Sequence, residues 1–225
     1  MDCDDQGQQA SGWGQTGLEK DLKHALEKGA LCLYHAPQVD AEGKMIGVEA
    51  VLCWNDPEKG MTVPRYGTAG TQNGPFILHT ELWKLREACG QIKSWTDAGI
   101  PFHQLSLDIS PNFFLQSDFA HQVEQIILET HADPYSLVFQ LTEHMVFNNF
   151  EESIQKMKML KAYGIRFALD DFGRGRSSLS ALKMLPLGQI KISDQYLSNL
   201  ETDPHNSVII QTIIAIAQAM KFDVI

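Results

Sequence analysis

The chain has 225 residues, 44% of them hydrophobic and 20% charged, with a net charge of −10. That is the composition of a globular chain able to bury a real core. The negative balance argues against nonspecific attraction to nucleic acid or to anionic lipid, because the phosphate field would repel it.

Residues 1–17 are polar and aperiodic and are expected to form a flexible tail or linker, with one folded domain over 18–225. The N-terminus carries no basic segment followed by an apolar one, so no signal peptide is expected. Cys3, Cys32, Cys53 and Cys89 make no C-x-x-C pair and read as reduced thiols of a cytoplasmic protein rather than zinc ligands. Leu18, Leu22, Ala25 and Leu26 start the first helical pattern. Seven apolar runs read as strands: Leu31–His35, Gly47–Trp54, Gln104–Ser110, Ser136–Glu143, Ile165–Gly173, Gly188–Ser193 and Phe222–Ile225. Helical patterns separate most of them. One carries Phe119, Val123, Ile126 and Ile127 on a single face, with Ser117 or Asp118 as candidate cap and Asp133-Pro134 as the stop. Another carries Ile154, Met157 and Leu160, with Gly164 just past its end. The apolar stretch Val208–Met220 is interrupted by Gln211, Thr212 and Gln218, too short and polar to span a bilayer, and is expected to be a buried helix.

From the third strand on, the repeat is roughly 30 residues, the size of a βαβ unit, which implies a parallel sheet. Polar groups gather at the C-terminal ends of consecutive strands: Asp108 and Ser110, then Gln140, Thr142 and Glu143, then Asp170 and Asp171, then Lys191 and Ser193. A (β/α)8 barrel builds its site on that face. An open doubly wound sheet would instead carry a glycine-rich phosphate loop, and no G-x-G-x-x-G or Walker A pattern is present.

Asp170-Asp171-Phe172-Gly173 is the sharpest local signal. Two adjacent carboxylates after an apolar run are costly to bury without a cation, although an Asp pair opening a turn at Gly173 would read the same way. The stretch 170–180, DDFGRGRSSLS, resembles the DDFGTGYSSLS loop of EAL domains, the family of bacterial cyclic di-GMP phosphodiesterases. In order along the chain, GVEAVL (47–52) resembles the G-x-E-A-L-L segment, LDIS (107–110) resembles V-N-V-S, FQLTE (139–143) resembles L-E-I-T-E, and IKIS (190–193) resembles L-K-I-D. Ala88, Cys89, Gln91 and Trp95 fit A-C-x-Q-x-x-x-W.

The resemblance implies a TIM-type (β/α)8 barrel of the EAL variant holding Mg2+ or Mn2+, with a metal-bridging water attacking a phosphodiester of cyclic di-GMP. It places Glu49, Asp108, Gln140 and Asp170 around a first metal, Asp170 and Asp171 at a second, and Lys191 with Glu49 as catalytic groups. Thr142, Glu143 and Ser193 would support them from behind. The chain departs from the pattern at Asp108 (for Asn), Gln140 (for Glu), Ser193 (for Asp), Cys53 (for a phosphate-gripping Arg) and Ala36 (for a ligand-contacting Gln). It stops near the seventh strand, short of the last βα unit and of a Glu expected at the second metal.

One cation site is therefore expected, the second being incomplete. Weak cyclic di-GMP binding, a protein partner and a possible homodimer are expected, without nucleic acid or membrane insertion. The expected function is a regulatory or protein-interaction module with little or no hydrolysis; a working phosphodiesterase is the alternative that Glu49, Asp170, Asp171 and Lys191 would support. Arg174 and Arg176 read as a solvated loop edge or an anion contact, and His24, His79, His103, His121 and His131 as surface or packing residues.

Overall fold

The computed structural model describes residues 23–56, 60–63, 75–174, 178–198, 200 and 202–225. The expected tail over 1–17, the start of the first helix and Arg176 lie outside them.

A helix over 23–27 (α1) leads into β1 (Leu31–Val39), β2 (Met45–Asp56) and β3 (Gly60–Thr62). The chain then runs α2 (Pro75–Asp97), β4 (Leu105–Asp108), α3 (Pro111–Phe114), α4 (Phe119–Thr130), β5 (Leu137–Thr142), α5 (Glu143–Asn148) and α6 (Phe150–Ala162). It continues with β6 (Arg166–Phe172), α7 (Leu179–Leu182), β7 (Gln189–Ile192), α8 (Asp194–Ser198), α9 (Pro204–Met220) and β8 (Asp223–Val224).

Each of the seven apolar runs is a strand, within a few residues of its expected ends. The sheet order is β1-β2-β4-β5-β6-β7-β8, with β3 on β2. From β2 to β8 along this path every pair is parallel. The first pair is different: β1 and β2 are antiparallel, joined through the turn at Gly43, whose φ of +78° suits glycine. Strand alternation with helices carries no information about a hairpin this early in the chain.

The sheet curls into a barrel of the (β/α)8 type. Lys191 on β7 reaches Glu49 on β2 across the interior at 2.7 Å, which a flat sheet with three strands between them would forbid. Among the described residues no ladder joins β8 back to β1 or β2.

The core lies between the sheet and its helices. Leu105, Leu107, Leu137, Phe139, Phe167 and Leu169 are fully buried on the strands, and Leu85, Ile92, Phe119, Val123 and Met157 meet them from the helices. The inward face mixes small apolar residues such as Val138 and Ala168 with polar ones. At the floor Gln189 donates from Nε2 to Gln104 Oε1 at 2.8 Å, and Gln104 donates to Gln38 Oε1 at 3.1 Å, so a chain of buried amides spans the barrel. Gly47 belongs to this floor: a Cβ there would lie 2.4 Å from Gln104 Cγ.

Two local expectations change. Asp118 stands at the N-cap of α4 but makes no side-chain cap bond, and α4 ends at left-handed His131 (φ 55°) before Asp133-Pro134 is reached. In α9 only one face is buried, through Ile213 and Ala217, while Val208 is exposed; its apolar content exceeds the stripe it packs. Gly164 follows α6 with a φ of +108°, as its position after the helix requires. No helix among the described residues is long and apolar enough to cross a membrane.

Candidate functional site at the strand ends

The parallel strands deliver their C-terminal ends to one mouth. Side chains alternate along β2, so Gly47, Glu49, Val51 and Cys53 share the inward face. Asp108 closes β4 beside Gln140 of β5, and Thr142 pairs with Asp170 of β6. Lys191 gathers this ring: its Nζ donates to Glu49 Oε1 at 2.7 Å and to Gln140 Oε1 at 3.2 Å.

The charges of the ring perturb one another. Burial pulls the Lys191 ammonium down, but Asp170, Glu49 and Asp108 together outweigh it and leave the group above its usual value. Burial pushes the Asp170 carboxyl up against the pull of Lys191. Asp108 is pushed up to about 6, first by burial and then by Asp170 and Glu49, while Lys191 and Lys84 oppose the rise. Its side chain nevertheless keeps an open side toward the mouth. Crowded carboxylates of this kind are relieved by a cation.

Asp171 stands apart from the ring. Its backbone is left-handed (φ 54°), and its N–H donates to Asp170 Oδ1 at 2.7 Å. Ser193 Oγ donates to Asp171 Oδ1 at 2.8 Å, and Arg174 Nη1 donates to Oδ2 at 3.3 Å. Behind the loop, buried Glu143 accepts from the Gly173 N–H at 3.3 Å, and Tyr196 donates its hydroxyl proton to the Gly173 carbonyl at 2.6 Å. Thr142 Oγ caps α5 by accepting from the Met145 N–H at 3.4 Å.

The structure thus brings Glu49, Gln140 and Lys191 into direct contact, sets Asp108 and Asp170 within their field, and turns Asp171 toward Ser193 and Arg174. Among the described residues no three carboxylate, imidazole or thiol groups meet closely enough to form a metal cage as they stand. The donor types around Lys191 still suit one hard cation: three carboxylates and the Gln140 amide oxygen. The buried Gln140 Nε2 has no partner. Its amide could therefore reorient without breaking a bond made by that nitrogen. Asp171 is turned away from that donor set, with the Ser193 hydroxyl on one oxygen and the Arg174 guanidinium on the other.

On the β1 side the mouth carries Ala36, Tyr34 and Cys32, with Tyr34 opposite Val51. Ala36 pairs with Glu49 and Cys32 with Cys53 on the ladder, and Cys32 Sγ donates to the Cys53 carbonyl at 3.7 Å. Burial raises both thiols. On the opposite side a cavity of about 820 Å3 opens between α5 and α7 and reaches Asp171 and Arg174. Sequence reasoning missed the floor amides, Tyr196 and the pair Glu81–Lys84 on α2. The last had a signal, two charged residues three apart on a helix whose inner face is mostly apolar.

Carboxylates and a lysine at the C-terminal ends of parallel strands put the site where (β/α)8 barrels build theirs. The chain belongs to the EAL domain family, which it matches over residues 19–225. It is 31% identical over 212 residues to the bifunctional diguanylate cyclase/cyclic di-GMP phosphodiesterase MucR of Pseudomonas aeruginosa, covering 94% of this chain and 31% of that protein. It is 30% identical to the oxygen sensor protein DosP of Escherichia coli, over 91% of this chain and 26% of that one. The chain therefore spans about a third or less of these relatives. Among solved structures, the phosphodiesterase of MucR from Pseudomonas aeruginosa in complex with c-di-GMP superposes with a TM-score of 0.87 at 31% identity, covering 92% of this chain and 84% of that one. The apo S helix-GGDEF-EAL structure of Vibrio cholerae LapD, at 13% identity and a TM-score of 0.79, covers 96% of this chain and 52% of that one and shares the fold.

Proposed function

We infer that this chain is a degenerate EAL domain of cyclic di-GMP signalling, a regulatory or protein-interaction module with little or no hydrolysis. The observation that carries this reading is the state of Asp171, whose two oxygens are engaged by Ser193 and Arg174. Two-metal phosphodiester hydrolysis needs two ions a few ångströms apart, and dense negative charge to offset their repulsion. Here Gln140 and Ser193 are neutral, and Arg174 lies 3.3 Å from Asp171, offsetting part of its charge.

Glu49, Asp108, Asp170 and the Gln140 amide oxygen would hold one Mg2+ or Mn2+. A single bound ion would supply positive charge for a phosphate oxygen of the ligand. Lys191, a compact ammonium, would share that phosphate. Ala36 and Cys53 offer no guanidinium fork or amide to the ligand, so its grip is loose on the β1 side.

The test is incubation of the pure chain with cyclic di-GMP and Mn2+ or Mg2+, followed by chromatography for linear pGpG. No product above the metal-only control is expected. Steady turnover that disappears in Glu49→Ala would overturn this reading and promote an active phosphodiesterase. That second reading is favoured by the Lys191–Glu49 contact, which holds a cationic group where an attacking water would need orienting.

A further inference from the structure

Glu81 and Lys84 lie one turn apart on α2 and are buried together: their side chains are 0% and 6% exposed, with Lys84 Nζ 2.8 Å from Glu81 Oε1. Both reach beyond the helix. Lys84 Nζ donates to the main-chain oxygen of Asp108 at 2.6 Å, and Glu81 Oε2 accepts from the N–H of Ser110 at 3.1 Å. One carboxylate and one ammonium therefore grip the backbone on both sides of a short segment at the C-terminal end of β4.

The strand ladder explains why that segment needs holding. Pairing of β2 with β4 ends at Ala50 and Leu107, one residue before Asp108. On the other edge Asp108 still pairs with Gln140, and Ile109 N–H donates to the Gln140 carbonyl at 3.1 Å. The backbone at Asp108 is thus fixed by β5 alone, and α2 supplies the missing side.

A buried ion pair carries a desolvation cost that an apolar pair of the same volume avoids. Neighbouring inner positions of α2, such as Ile77, Leu85 and Ile92, are apolar and pack without such a pair. What the pair adds is direction, because two charge-assisted bonds aim one peptide segment. We propose that Glu81 and Lys84 are positioning residues of the mouth: they set the backbone at Asp108 so that its carboxylate joins Glu49 and Asp170 in holding a divalent cation. This rests on the single-cation reading above.

The experiment titrates Mn2+ into the whole chain and follows free Mn2+ by electron paramagnetic resonance, with thermal unfolding recorded in parallel. The double variant Glu81→Leu, Lys84→Met replaces the pair with apolar groups of similar volume. It is expected to fold, since losing two bonds to the backbone offsets the gain from removing a buried ion pair, and to bind Mn2+ roughly tenfold more weakly, the usual effect of losing a group that orients a ligand. Lys84→Arg, which can still donate to the Asp108 carbonyl, should stay within about threefold of the parent. Should the double variant fail to fold, Glu81→Gln is read in the same titration, where a loss of roughly threefold or more supports the proposal. A folded double variant, or Glu81→Gln in its place, that binds Mn2+ as tightly as the parent overturns it, while Glu49→Ala losing Mn2+ shows the cation site itself to stand. A parent chain that takes up no Mn2+ removes both the single-cation reading and this one.

Discussion

Asp108 offers a direct probe of the electrostatics at the mouth. Its carboxyl lies at about 6 instead of 3.8, with burial as the first cause. An acid whose folded value is raised holds its proton more tightly in the folded chain. Its contribution favours folding fully below about pH 3.8 and is lost as pH climbs through about 6, above which the native state bears the crowded charge. A shift of about two units corresponds to about 3 kcal/mol at 1.36 kcal/mol per unit. The side chain has an open side, so solvent screening reduces this to about 1 kcal/mol. Asn has nearly the same shape and no charge. Asp108→Asn should therefore stabilise the chain by about 1 kcal/mol near pH 7.5, with the gain shrinking to nothing as pH falls toward 4. Urea unfolding with EDTA present, at several pH values across that span, measures it. A gain that does not depend on pH, or a parent more stable than the variant near pH 7.5, would refute the reasoning.

Lys191→Met should destabilise the chain by about 2 kcal/mol near neutral pH, less than the full figure for a buried pair because both partners are about one-fifth exposed; urea unfolding reads it, and an unchanged midpoint would mean the Glu49 contact contributes nothing. Gly47→Ala forces a Cβ against Gln104 at 2.4 Å and should cost about 1–3 kcal/mol in the same assay, and the added variant Gln104→Ala should recover part of the loss. Gln140→Glu restores a charge to the ring and should tighten Mn2+ binding severalfold by calorimetry, with equal or weaker binding counting against Gln140 as a cation neighbour. Cyclic di-GMP binding by the parent should be tens of micromolar or weaker, the charge-assisted contact missing at Cys53 costing about 1.5–3 kcal/mol and the neutral one at Ala36 about 0.5–1.5 kcal/mol; submicromolar affinity would show that other groups grip the ligand.

The strands were legible because their signal is local. Leu105, Leu107, Leu137, Phe139, Phe167 and Leu169 are apolar runs that only a sheet covered by helices could bury, and the polar groups that follow mark where each run ends. That pattern points to Asp108, Gln140, Asp170 and Lys191 at one end of the sheet, and the resemblance of GVEAVL to the EAL segment adds Glu49. What a polar residue touches is not local. Whether Asp171 turns toward Asp170's neighbours or toward Ser193 depends on one left-handed φ. Whether Lys84 is a solvated helix lysine or a buried donor to Asp108 depends on how α2 lies against β4. The same holds for Gln38, Gln104 and Gln189, ordinary surface residues by type, which hydrogen-bond in a row only because the curl of the sheet brings β1, the start of β4 and β7 within reach. Burial of apolar surface is written residue by residue into the chain, whereas the partners of buried polar groups are chosen by packing and exist only once the sheet has curled around them.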